Sequence, residues 1–170
     1  MNDIKQQRIL GIDPGFGRMG WGVVEKATDG WKAVACGCVE TSAKLPFKER
    51  LIEIHQNLKK IIARHKPTRA AVEDLFFAKN VKTAMQVGEA RWVIILTLVE
   101  AGLRVDEFTP LQVKQAITGY GRAEKGQVQR MIQIEFKIKK KIKPDDAVDA
   151  LAVALTSGVS FTTGEKMAGN

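Results

Sequence analysis

The sequence predicts an α/β protein built on a mixed five-stranded sheet, three strands antiparallel and two parallel, flanked by helices. Three features carry this. The first third holds three short apolar or β-branched runs separated by tight turns, and near Phe47 the apolar spacing switches from strand-like to helical. The two later apolar runs then alternate with helices, and a strand reached through a helix joins its sheet in parallel.

Taken in order, Arg8 to Asp13 is an apolar run ending in a carboxylate and then Pro14-Gly15, a buried strand entering a turn. Met19 to Glu25 is the second strand and Trp31 to Thr41 the third, with Asp29-Gly30 between them. From Phe47 to His65, Leu51, Ile54, Leu58, Ile61 and Ile62 recur at helical spacing, and Pro67 ends that helix. Ala70 to Glu73 is a short strand, Val81 to Ala101 a long helix stopped by Gly102, and Leu103 to Phe108 a strand. Pro110 to Thr118 and Glu124 to Phe136 are helices split by Gly119-Tyr120-Gly121. Pro144 opens a last helix expected to end at Thr156, with a small polar tail after Gly158. His55 and His65 are expected to face solvent.

The chain has 170 residues, 45% hydrophobic and 27% charged, which excludes a disordered, collagen-like or bilayer-filling protein. Its longest strongly apolar run, Trp92 to Val99, is far short of the ~20 residues that span a membrane. No signal peptide is visible at the N-terminus, so a cytoplasmic protein is expected. Cys36 and Cys38 read as reduced, packed thiols; without a nearby histidine they do not make a zinc site. Lys plus Arg number 27 against 19 acids, a net charge of +8 that favours a polyanionic partner, nucleic acid first.

Four acids stand out by position. Asp13 and Glu73 end strands, and neighbouring strands lie about 4.8 Å apart. Asp146 and Asp149, three apart near the start of the last helix, share a helix face. If the first and fourth strands are neighbours and that helix crosses their ends, four carboxylates meet. Such a group repels itself unless cations neutralise it, and oxygen-only ligands select Mg²⁺ or Mn²⁺. Two such ions about 3.5–4 Å apart suit in-line phosphodiester hydrolysis. The plainer alternatives are that Asp145 and Asp146 merely favour a helix N-terminus and that Asp13 merely forms a turn. Glu73 resists that treatment, because it ends the apolar strand Ala-Ala-Val-Glu.

Gly15, Gly17 and Gly20 satisfy the spacing of a dinucleotide-binding loop, but that motif requires a helix next and Trp21-Gly22-Val23-Val24 follows. The glycines are instead assigned to a hairpin turn close to Asp13.

The segment Gly-Ile-Asp-Pro-Gly at 11–15, followed by Gly20-Trp21-Gly22-Val23-Val24, closely resembles the start of the RuvC family of bacterial Holliday junction resolvases. The resemblance continues at Ala71-Val72-Glu73-Asp74-Leu75-Phe76, Ala78-Lys79-Asn80 and Gln112-Val113-Lys114-Gln115, then at Gly119 to Gln129 with Ala123-Glu124-Lys125, and at Asp146 to Ala152. It covers nearly the whole chain in the right order. It implies a ribonuclease H-like domain over 1–158, a flexible C-terminal tail over 159–170, a homodimer, and Mg²⁺-dependent resolution of four-way DNA junctions in recombination and repair. Two Mg²⁺ per site are expected, with Mn²⁺ able to substitute. Asp13, Glu73, Asp146 and Asp149 occupy the family's catalytic positions. Lys114 and Lys125 match lysines near the scissile phosphate, with Lys125 assigned to transition-state charge. Phe76 matches an aromatic that holds junction bases, and the RuvA–RuvB branch-migration complex is the implied partner. Phe16, where the family has a small polar residue, and the basic run Lys137 to Lys143 depart from the pattern.

On their own terms, Lys137, Lys139, Lys140, Lys141 and Lys143 crowd the approach to the catalytic helix and are read as phosphate contacts in preference to a solvated loop. Lys79 is counted with them; of Phe76-Phe77 one is expected to be core and the other available for DNA, and the resemblance assigns the DNA role to Phe76. The helix carrying Trp92 to Val99 is apolar on nearly every side, hence deep core or shared with a partner. Two other functions compete. An ATP-binding module of the actin and sugar-kinase type shares a Gly-Ile-Asp-x-Gly turn but needs a second phosphate loop, and nothing after Gly121 resembles one. A non-catalytic junction binder gains nothing from four negative charges facing phosphate.

Overall fold

The computed structural model describes residues 7–74, 81–139 and 142–168, with side chains as far as residue 160. In chain order the elements are β1 (Arg8–Asp13), β2 (Arg18–Ala27), β3 (Gly30–Glu40), α1 (Phe47–His65), β4 (Arg69–Glu73), α2 (Val81–Glu100), β5 (Arg104–Phe108), α3 (Pro110–Thr118), α4 (Lys125–Glu135) and α5 (Asp145–Ala168). The five strands form one sheet in the order β3-β2-β1-β4-β5. β1, β2 and β3 pair antiparallel, while β4 joins β1, and β5 joins β4, in parallel. This is the mixed sheet the sequence predicts.

Strand alternation divides the core. Ile9 and Ala71 point to the face covered by α5, where Leu151, Val148, Val128 and Ile132 complete one cluster. Leu10, Ile12 and Val72 point to the other face, against Ile54 and Leu58 of α1 and Ala90, Ile94 and Leu98 of α2. By the same alternation, Asp13 follows Ile9 and Gly11 onto the α5 face, and Glu73 follows Ala71.

Local chemistry places the helix ends. α1 stops at Lys66, which is left-handed at φ 49°, just before Pro67. α3 opens on a reciprocal cap: the Gln112 N–H donates to Thr109 Oγ1 at 3.2 Å, and the Thr109 N–H donates to Gln112 Oε1 at 2.8 Å. Thr118 Oγ1 donates to the Lys114 carbonyl at 2.8 Å, and Gly119 ends the helix at φ 74°.

The glycines do more than turn the chain. Gly11 pairs with Gly22 across β1 and β2, and Asp13 pairs with Gly20. A Cβ on Gly11 would collide with the Ala150 carbonyl, one on Gly20 with the Asp146 carbonyl, and one on Gly22 with Leu151. The missing side chains let α5 lie directly on the sheet. Gly15 and Gly17 do belong to the β1–β2 turn, whereas Gly20, expected there, is a helix contact within β2.

Several expectations change. α5 continues to Ala168, past the predicted end at Thr156, so residues 159–168 are helical. Gly158 is a packing site, not a stop, because Trp31 lies against it. His55 and His65 are half-buried and partnered. His55 Nδ1 lies 2.9 Å from Thr97 Oγ1; that hydroxyl donates to the Val93 carbonyl, which leaves it to accept from His55. The His65 ring packs on Trp21 at 5.4 Å. α2 is not deep core: Trp92, Leu96 and Val99 remain 63%, 58% and 55% exposed. Phe16 is held by an edge contact to Phe47 at 5.7 Å and by the Arg50 guanidinium 4.7 Å over its ring, which ties the turn after Asp13 to α1. Cys36 and Cys38 are free thiols. No helix among the described residues is long and apolar enough to cross a membrane.

Gly158→Ala tests the Trp31 contact. Helix propensity alone would stabilise this change by about 1 kcal/mol. A Cβ there would come within 2.5 Å of the Trp31 ring, and overpacking costs about 1–3 kcal/mol. The urea midpoint is expected to fall; a rise would mean that Trp31 does not pack there.

Candidate active site

Parallel pairing of β1 with β4 reaches Ile12 opposite Val72, so Asp13 and Glu73 are the next residues of adjacent strands, on the face under α5. Contact over Gly20 sets the first turn of α5 beside that strand end. Asp149 therefore faces Asp13 and Glu73. These three acids, with Lys114 of α3 and Lys125 of α4, line a cavity of about 340 Å³ floored by Val113, Val128 and Ala152.

Asp146 occupies the adjoining position. It lines a more open hollow with Arg18, Glu40, Lys125 and Lys143, and its Oδ2 lies 3.8 Å from the Arg18 guanidinium. Its charge still reaches Asp13. Thus three of the four predicted acids share one cavity and the fourth stands at its edge, with Lys125 on the wall of both.

The electrostatics follow from burial. Desolvation, then the charges of Glu73, Asp149 and Asp146, push the Asp13 carboxyl up to about 8, with only Lys125 opposing. Glu73 is raised by burial and by Asp149; Lys125, a hydrogen bond with Asp13 and Lys114 oppose the rise. Lys125 Nζ sits 2.6 Å from Asp149 Oδ2. Burial pulls the Lys125 ammonium down, but that hydrogen bond and the charges of Asp149, Asp13 and Asp145 outweigh it, so it stays a cation. Gln129 Nε2 donates to Asp149 Oδ1 at 3.4 Å. The Cys38 thiol, pushed up to about 11 by burial and by Asp146, remains protonated.

Among the described residues, no three His, Cys, Asp or Glu side chains close tightly around one point. The donor chemistry nevertheless fits a hard divalent cation: the donors are carboxylate oxygens, and one, Asp13, is buried among like charges that Lys125 offsets only in part.

Of the other predicted residues, Lys139 and Lys143 are exposed, and Lys143 reaches the Asp146 hollow. Ile138 and Ile142 pack on the core and anchor this basic segment. Phe76, Lys79, Lys140 and Lys141 lie outside the described residues. The sequence reading missed Arg18 and Gln129, which touch the two helix acids, and the glycines beneath α5. The signal for the last was the alternate spacing of Gly20 and Gly22, which puts both on one strand face.

A family model described as "Crossover junction endodeoxyribonuclease RuvC" matches residues 9–157. A crossover junction endodeoxyribonuclease RuvC from Roseiflexus sp. (strain RS-1) is 50% identical over 148 residues, 87% of this chain and 88% of its own. That from Petrotoga mobilis is 49% identical over 161 residues, 95% of this chain and 98% of its own. The structure of Thermus thermophilus RuvC superposes with a TM-score of 0.85 at 35% identity, covering 93% of this chain and 97% of that one. The same protein in complex with Holliday junction substrate gives a TM-score of 0.83 at 34% identity, covering 93% and 96%.

Asp13 makes the metal-free protein sensitive to pH. A carboxyl raised from 3.8 to about 8 binds more protons folded than unfolded, so stability falls as pH rises through that window. In EDTA, Tm is expected to drop between pH 5 and 9, and Asp13→Asn is expected to flatten the drop and raise Tm at pH 8.5. Each 1 kcal/mol relieved moves Tm about 2–4 °C in a chain of this size. An unchanged profile would mean that Asp13 is not crowded by its neighbours.

Proposed function

This chain belongs to the RuvC family of crossover junction endodeoxyribonucleases, and on that premise we propose how its residues cut a four-way junction. It is a structure-selective DNA endonuclease that resolves such junctions. One observation carries the mechanism: Asp13, Glu73 and Asp149 share a cavity whose wall holds Lys114 and Lys125.

In this reading Asp13, Glu73, Asp146 and Asp149 hold two Mg²⁺, or Mn²⁺ in their place. Bound there, the ions supply Lewis-acid polarisation of the phosphodiester and an activated water. The remaining work falls to the chain. Ionised Asp13 and Glu73 give acceptor oxygens at the strand ends, where the sheet fixes their spacing. Lys125 leaves its ion pair with Asp149 for the scissile phosphate and neutralises charge that builds there in the transition state. Lys114, on the neighbouring helix, holds the same phosphate from the other side. Lys139 and Lys143, with Lys140 and Lys141, guide the backbone of the arm approaching α5. Phe76 and Lys79 keep the base-holding and phosphate roles that the resemblance gives them.

Two cuts placed symmetrically need two sites related by a twofold axis. The exposed stripe of Trp92, Leu96 and Val99 on α2 supports a homodimer formed through that helix. We place this dimer in the cytoplasm, receiving junctions from the RuvA–RuvB branch-migration complex.

On a synthetic four-way junction, Mg²⁺ is expected to give paired nicks and EDTA none. Asp13→Asn is expected to lower cutting by at least about 100-fold while junction binding in Ca²⁺ persists; retained cutting would overturn the assignment. Leu96→Glu is expected to sediment as a monomer and to replace paired nicks with single ones. A variant that remains dimeric would remove α2 from the interface.

A further inference from the structure

Arg91 is a buried cation in an otherwise apolar stretch of α2, and neither the fold nor the proposed chemistry accounts for it. It is 8% exposed. An unpaired guanidinium at that depth is strongly destabilising, so its partners show what it is for. They lie at the ends of two strands. One terminal nitrogen reaches Glu107 Oε2 of β5, and the same nitrogen lies 3.3 Å from Asp74 Oδ1, the residue after β4. Nε points at the backbone carbonyl of Glu73 at 3.4 Å. Asp74 is fixed in turn by its N–H, which donates to the Phe108 carbonyl of β5 at 2.7 Å.

We propose that Arg91 is the positioning residue for Glu73: its guanidinium clamps the ends of β4 and β5 from the face opposite α5 and so aims the Glu73 carboxylate at Asp13 and Asp149. The inference rests on the nuclease reading above. Glu73 is the last residue of β4, and the pairing of β1 with β4 ends at Ile12 and Val72. Past that point β1 no longer flanks the strand, and Glu73 is paired on one side, with Phe108 of β5. Arg91 adds a side-chain restraint to that one-sided pairing, with Nε on the backbone carbonyl of Glu73 and a terminal nitrogen ion-paired with Asp74. Only a planar fork reaches two carboxylates and a carbonyl together; a lysine ammonium is a point charge on a flexible stem. The Arg91 side chain never enters the cavity lined by Asp13, Glu73 and Asp149, so it acts through Glu73 and touches no reacting group.

A purely structural ion pair that docks α2 on the sheet would predict lower stability with the chemistry unchanged, and the test separates the two. Arg91→Met and Arg91→Lys are compared with the wild-type chain in three measurements: Mn²⁺ affinity by electron paramagnetic resonance without DNA, single-turnover cutting of a four-way junction, and junction affinity in Ca²⁺. Arg91→Met is expected to weaken Mn²⁺ binding and slow cutting by about 10–100-fold each, with junction affinity unchanged. Arg91→Lys, which keeps the charge and loses the fork, is expected to fall between. Glu107→Gln leaves Arg91 and its contacts to Glu73 and Asp74 in place, and is expected to change both readouts in the same direction by less; it keeps the test open if Arg91→Met does not fold. Unchanged Mn²⁺ affinity and cutting rate in folded variants would overturn the proposal, as would equal losses in junction affinity and rate. If the wild-type chain itself fails to cut, the nuclease reading falls, while the Mn²⁺ measurement still decides whether Arg91 aims Glu73.

Discussion

The structure depends on a contact made by the absence of side chains. α5 rests on Gly11, Gly20 and Gly22, where any Cβ would strike its backbone or Leu151. Helices ordinarily sit farther from a sheet, on a layer of side chains. Removing that layer lowers the N-terminal end of α5 to the level of the strand ends, and Asp149 then falls within reach of Asp13 and Glu73. The same contact buries Ala147, Ala150 and Ala154, whose small side chains suit so close an approach. Core and site are therefore built by one packing event.

Gathering acids in this way works against folding. Asp13 is buried among three other carboxylates, and one lysine offsets part of their charge. Lys125 is largely exposed and paired with Asp149, so it can move without disturbing the core. Around this exposed cation the acids sit on regular elements: β1 and β4 carry Asp13 and Glu73, α5 carries Asp146 and Asp149, and Arg50 and Thr41 grip the turn at Phe16. Acids so seated beside a movable cation suit a site that exchanges an internal ion pair for phosphate.

Much of this was legible in the sequence. Periodicity gave the element order, because strands and helices bury different repeats, and the acids were conspicuous because carboxylates rarely end apolar strands without a use. What escaped depended on contacts between elements distant in the chain. Gly20 reads as a turn residue until the register places it opposite Asp13 and under α5. Asp146 and Asp149 read as one face at their spacing; in three dimensions the first lines an adjoining hollow, beside Arg18. Gly158 looks like a helix stop until Trp31, far back in the chain, is seen against it. Arg91 reads as the polar flank of an apolar run, since its partners come from β4 and β5.

The glycine seat also bears on how genes of this kind should be read. Competence is usually judged by whether each acid is present, yet acids are only half of what the architecture demands. A paralogue that kept all four but gained a methyl group beneath its last helix would force that helix off the sheet and part Asp149 from Asp13 and Glu73, a fault invisible to any inventory of charged residues. One that kept the seat and lost an acid would keep the frame intact, with its last helix still seated on the sheet.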